Sequence, residues 1–224
     1  MKECGKACKR RAHDPSFVTR FLAGTGLDVG SGADPLSLYI ELFPRIAGLK
    51  AFTPAEGDCA KLEPIKDASY DFVHSCFLLQ LLPDPKEAFG HWLRCVKPGG
   101  HLVVTVPDED LYEQGVFPSA FNREHRWSFT LAKSKSFHDK SLNLLDLVRG
   151  LGAEAEPVRL NLIDDGYRYR LPRFDQTLTP TGEAAIELVI RRRPRDEIEF
   201  GGRPPRPSGL TKGDFALLTG FKLG

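Results

Sequence analysis

Leu27-Asp28-Val29-Gly30-Ser31-Gly32, followed by Asp34-Pro35, is the stretch that decides the fold. Apolar residues at 27 and 29 read as a buried strand. The glycines at 30 and 32 then make a turn with no side chain to bar a ligand from the backbone. Asp34 reads as an N-cap with Pro35 at the first helical position, where its missing N–H costs nothing, so a helix over 36–43 is expected. Further along, Val96-Lys97-Pro98-Gly99-Gly100-His101-Leu102-Val103-Val104 stops one helix and starts another buried strand.

Working outward, strands are expected over 26–30, 49–52, 70–75, 101–106, 158–163 and 184–191. Asp84-Pro85-Lys86-Glu87 has the form of a capping box, and Ala88, Trp92, Leu93 and Val96 share one face of the helix behind it. A further helix is expected over 141–151. Strands alternating with helices give an α/β fold: a doubly wound, mostly parallel sheet with an antiparallel C-terminal edge strand. Residues 1–21 read as a basic, partly helical N-terminal extension, with Phe17, Phe21 and Leu22 available to pack on the core or cover a ligand, 22–193 as the main domain, and 194–224 as a Pro/Gly-rich mobile tail in which Phe215, Leu217, Leu218 and Phe221 are apolar.

The 224 residues carry a net charge of +1, which is no field for recruiting nucleic acid or an anionic membrane surface. No apolar run is long enough to span a bilayer and no signal-like segment opens the chain, so a cytoplasmic location is expected. Five cysteines, at 4, 8, 59, 76 and 95, are scattered and odd in number, against a disulfide framework. Cys4, Cys8 and His13 lack a fourth ligand, and no metal site is expected.

Leu27-Asp28-Val29-Gly30-Ser31-Gly32, Gly57-Asp58-Cys59-Ala60, Ser69-Tyr70-Asp71-Phe72-Val73-His74 and Lys97-Pro98-Gly99-Gly100 occur in that order. This series resembles the class I S-adenosylmethionine-dependent methyltransferases, and most of all the small bacterial type 11 domains. The resemblance implies a Rossmann-like fold and S-adenosyl-L-methionine as cofactor. It implies that Gly30, Ser31 and Gly32 meet the methionine part, with Asp28 beneath the turn. Asp58 would accept from the adenine amino group, with the amides of Cys59 and Ala60 at the ring edge. His74 and Ser75 would end their strand below the transferred methyl, with His74 a candidate catalytic group and Ser75 a cofactor contact. Thr53 stands where the family carries a ribose-binding acid, and Glu56 follows three residues on. Gln80-Leu81 replaces the family's Glu-His.

The loop after the strand ending at Pro107 leaves the ligand edge of such a sheet. It holds Asp108, Tyr112 and Trp127, expected against the acceptor, and His125, expected as general base. These groups suit a small-molecule or saccharide acceptor methylated at oxygen. A second reading, motivated by Thr53, Gln80 and Leu81, is a degenerate fold serving as a binding or scaffold subunit. Pro35 stands where a dinucleotide fingerprint needs its third glycine. His74-Ser75-Cys76-Phe77 is also unlike the Asn/Asp-Pro-Pro-aromatic signature of enzymes that methylate nucleic-acid amines. Neither oligomeric state nor acceptor identity follows from the sequence.

Overall fold

The computed structural model describes residues 2–120, 122–172, 179 and 181–204. The chain divides into two compact units, Met1–Arg193 and Pro194–Gly224. In the first unit the strands are β1 (Gly24–Val29), β2 (Ile46–Phe52), β3 (Tyr70–Cys76), β4 (Val96–Pro107), β5 (Ser128–Thr130), β6 (Ser141–Asn143), β7 (Ala155–Ile163) and β8 (Ala185–Arg192). Its α-helices are α1 (Glu3–Arg11), α2 (Pro85–Cys95) and α3 (Leu144–Gly150).

Six strands form one sheet in the order β2-β1-β3-β4-β8-β7, and β5 pairs with β6 separately. The first four of the large sheet are parallel, as their βα connections require. The antiparallel strand is β8, which lies between β4 and β7, so β7 rather than β8 forms the edge. Period-2 alternation splits the core between the two faces. Leu27, Val29, Val73, Leu102, Val104, Leu188 and Ile190 pack with Phe89 and Trp92 of α2 and with α3. Phe72, Val103 and Val189 point the other way, toward Cys4, Cys8, Phe17 and Phe21.

That second face includes residues expected as an extension. Helix α1 buries Cys4, Lys6, Ala7, Cys8 and Arg11, with Glu3 in its first turn and Lys9, Arg10 and Arg11 in its last, each complementing the helix dipole. A π-helical turn, Phe17–Phe21, adds its two phenylalanines to the core. The reason for docking is polar as well as apolar. Asp28, His74, Thr105 and Glu187 all face this side, on neighbouring strands, and Arg11 drops onto them. Its Nε donates to Glu187 Oε2 (2.7 Å), its Nη2 to Thr105 Oγ1 (2.7 Å), and its Nη1 lies 3.0 Å from His74 Nε2. Arg10 meets Glu183 and Glu187 as well.

Two helix expectations change. Residues 36–42 form a 3₁₀ helix that Asp34 does not cap. Its carboxylate instead accepts from Gly5 N–H (3.0 Å) and Tyr39 OH (2.6 Å), while Leu36 N–H donates to Asp28. The helix placed at 141–151 begins only at Leu144, because Asn143 caps it by accepting from the N–H groups of Leu145 and Asp146. Asp84 caps α2 as read, accepting from Lys86 and Glu87 N–H. In the second unit, α4 (Arg195–Phe200) ends at Gly201, whose φ is 77°. The remainder of the stretch read as a tail, 205–224, lies outside the described residues. Among the described residues no helix is long and apolar enough to cross a membrane.

Candidate functional site

The carboxyl ends of β1 and β3 open onto a cleft of about 400 Å³, where ligands of open α/β sheets are held. Gly30, Ser31 and Gly32 form one wall, Phe77 and Tyr112 another, and the first turn of α1, with Glu3 and Cys4, a third. The two glycines differ in purpose. Both have left-handed backbone, φ 71° at Gly30 and 46° at Gly32. A Cβ on Gly30 would fall 2.4 Å from Leu78 Cδ2, so the protein's own packing demands glycine there. A Cβ on Gly32 would meet only the Gly30 carbonyl oxygen, at 3.9 Å, so that position is open to a ligand.

Asp28 is buried beneath this turn and holds it. One oxygen accepts from Leu36 N–H (2.8 Å) and the other lies 2.7 Å from His74 Nδ1. His74 is fully buried. Because Arg11 can only donate, His74 Nε2 must accept from it, leaving the proton on Nδ1 for Asp28. Its expected catalytic role is therefore corrected: both ring nitrogens are engaged and neither reaches the cleft. Ser75 is likewise fully buried, its hydroxyl donating to the Val29 carbonyl (3.2 Å), so it ties β3 to β1 and touches no ligand space.

At the end of β2, Thr53 is joined to a carboxylate. Glu56 folds back so that its Oε2 accepts from Thr53 N–H (2.7 Å) and from the Thr53 hydroxyl. These two donors hold the Glu56 carboxyl below its usual range. The strand end thus presents an exposed, ionised acid borrowed from the following turn. Asp58 is exposed and accepts from Ala60 N–H (2.8 Å), which closes an Asx turn. Ala60 N–H is consequently spent on Asp58 rather than offered to an adenine edge. Cys59 is fixed through its carbonyl, which accepts from Trp92 Nε1 (2.8 Å). Arg94 completes the brace: its guanidinium donates to the carbonyls of Lys61, Leu62 and Ile65 and to Asp67.

Of the acceptor-loop residues, Tyr112 lines the cleft and meets the Phe77 ring edge-on at 5.3 Å. His125 stacks behind it, ring centroids 5.7 Å apart, and its Nδ1 is hydrogen-bonded to Glu113 Oε1. Glu113 Oε2, Gln80 Oε1 and Gln114 Nε2 are buried polar atoms with no partner among the described residues. Burial pushes the Tyr112 phenol up to about 12, keeping it neutral. Asp108 and Trp127 stand elsewhere. Asp108 caps its own turn, accepting from Asp110 and Leu111 N–H, and burial raises its carboxyl to about 6. Trp127 donates to the Leu82 carbonyl (3.1 Å) and packs on the core, with Lys140 over its ring. Both serve the loop's structure. Glu113 was the residue missed as a partner, an acid and a histidine in one loop being the signal available; Glu56, three residues past the strand, was noted beside Thr53.

A family model for the methyltransferase domain matches residues 7–147. Solved structures share the fold at low identity. A methyltransferase structure from Bacillus halodurans is 13% identical with a TM-score of 0.53, covering 84% of this chain and 99% of that one. An S-adenosylmethionine-dependent methyltransferase from Mesorhizobium loti is 16% identical with a TM-score of 0.52, covering 83% and 100%. No curated protein matches the chain.

Proposed function

Since the chain belongs to the methyltransferase domain family and is a class I enzyme using S-adenosylmethionine, we propose that it methylates an oxygen of a small polar acceptor, such as a saccharide hydroxyl, entering beside Tyr112. The observation that carries this reading is the Glu113–His125 pair stacked directly behind the tyrosine of the cleft wall. When bound, the cofactor supplies an electrophilic methyl group on a sulfonium centre.

The residues present fit such a group. The open face of Gly32 admits the methionine part against backbone. The ionised Glu56 at the end of β2 would accept from the ribose hydroxyls, in place of the acid that Thr53 lacks. The carboxylate oxygen of Asp58 not used by Ala60 would accept from the adenine amino group. Phe77 and Tyr112, on the cleft wall, would shield the reacting centre from water. His125, with Nδ1–H directed at Glu113, keeps Nε2 as the basic nitrogen to take the acceptor's proton, and Glu113 stabilises the imidazolium that results. Five free thiols suit a reducing cytoplasm.

Calorimetric titration with S-adenosylhomocysteine tests the cleft: micromolar binding is expected, and no heat at millimolar ligand would return the scaffold reading. A screen of hydroxylated acceptors with radiolabelled methyl donor tests the reaction. His125→Gln should then lower kcat about a hundredfold or more with unchanged S-adenosylhomocysteine affinity; equal loss of both would remove the base assignment.

A further inference from the structure

Three of the five cysteines cluster at the cleft, two of them on its wall. Cys4, in the first turn of α1, has its Sγ 3.9 Å from that of Cys8, one helical turn on. Cys76, the last residue of β3, packs against the cluster that holds Cys4 and Cys8. Cys4 and Cys76 both line the cleft beside Gly30–Gly32, Cys4 buried and Cys76 half-buried. Cys59 and Cys95 lie apart, in the core on the other face of the sheet. The neighbouring Cys76 and Cys8 hold the Cys4 thiol well below its usual range, and the same sharing pushes Cys8 and Cys76 above theirs. One thiolate flanked by two thiols is the arrangement of a reactive cysteine beside its resolving partner.

We propose that Cys4, Cys8 and Cys76 form an oxidisable site on the rim of the cofactor cleft, where a small peroxide links Cys4 to Cys76 and shuts the cleft. The Cys4 thiolate attacks one peroxide oxygen and the O–O bond breaks, giving a sulfenic acid and, after protonation, water. The Cys76 sulfur then attacks the sulfenic sulfur, the S–S bond forms and a second water leaves. Two thiols lose two electrons and two protons, and hydrogen peroxide becomes two waters. Cys76 resolves in preference to Cys8 because Cys8 is fully buried and shares a helix with Cys4. The link would fasten α1 to the end of β3 across the place where the methionine part enters. Closure of the cleft rests on the cofactor reading above; formation of the link does not.

The test treats the whole reduced protein with hydrogen peroxide, blocks remaining thiols with N-ethylmaleimide and maps tryptic peptides without reductant. Cleavage after Lys2, Lys6, Lys9, Lys66 and Lys86 separates the three cysteines into peptides 3–6, 7–9 and 67–86. A 3–6 to 67–86 adduct is expected, reversed by dithiothreitol and absent from both Cys4→Ser and Cys76→Ser. S-adenosylhomocysteine affinity should fall at least tenfold on oxidation and return on reduction. A 3–6 to 7–9 adduct, or blocking of Cys4 and Cys76 as complete as in untreated protein, would overturn the site. An adduct with unchanged affinity would overturn the closure. If reduced protein binds no S-adenosylhomocysteine yet the adduct forms, the thiol site stands and the cofactor reading fails.

Discussion

At the scale of single residues, the strand end at Thr53 acquires a carboxylate by geometry rather than by identity. The carboxylate arrives from Glu56, oriented by two donors of the residue it replaces. Glu56→Gln should weaken S-adenosylhomocysteine binding about tenfold, as loss of a charge-assisted hydrogen bond would; unchanged titration would leave the ribose without an assigned partner. Asp108 makes a separate expectation. Its folded pKa of about 6 lies above its ordinary 3.8, so the folded state holds the proton more tightly. The stability this gives is complete below pH 3.8 and is lost as pH rises through 6, by up to about 3 kcal/mol. Urea denaturation across that window should show a decline with pH that Asp108→Asn removes; equal slopes in both proteins would deny it. The glycine turn was legible because Gly-Ser-Gly after an apolar strand has few other uses. The engagement of both nitrogens of His74 was not, because it depends on an arginine 63 residues away.

At the scale of elements, β1, β3, β4 and α2 were readable because each has a clear apolar period, and β1, β4 and α2 are also bounded by Gly, Pro or a capping acid. Helix α1 was legible only as part of a basic, partly helical lead-in, because Lys6 and Arg11 look solvated until their acidic partners are known. The helix placed after Asp34 became a 3₁₀ turn because α1 and Tyr39 take that carboxylate away from the capping position. The loop between β2 and β3 has no strand of its own and is braced from α2, by Trp92 on Cys59 and Arg94 on three carbonyls. Trp92 was read as core, which it is, but its indole N–H also fixes the proposed adenine loop. Trp92→Phe keeps the ring and removes that bond. It should cost about 1 kcal/mol in stability and lower S-adenosylhomocysteine affinity about three- to tenfold. An affinity identical to the parent would show that the loop needs no such support.

At the scale of the molecule, the large sheet and α1 are locked by a buried ionic row. Burial alone would raise the Glu187 carboxyl, but Arg11 and Arg10 outweigh it and hold it below its usual range. Arg11→Leu strands Glu187 with Arg10 as its remaining cation and should cost about 3 kcal/mol, read as a shift in urea midpoint at pH 7. A shift under about 1 kcal/mol would mean that the Arg11 contacts do little to hold α1. The Arg11 to Glu187 bond also joins residues 176 positions apart. During synthesis α1 leaves the ribosome well before its acidic anchor, which is translated near the far end of the unit. The helix must therefore wait, undocked, while the intervening strands assemble. Nascent chains arrested before Glu183 should lack a finished wall over Gly32, so maturation of the pocket is timed by the arrival of β8.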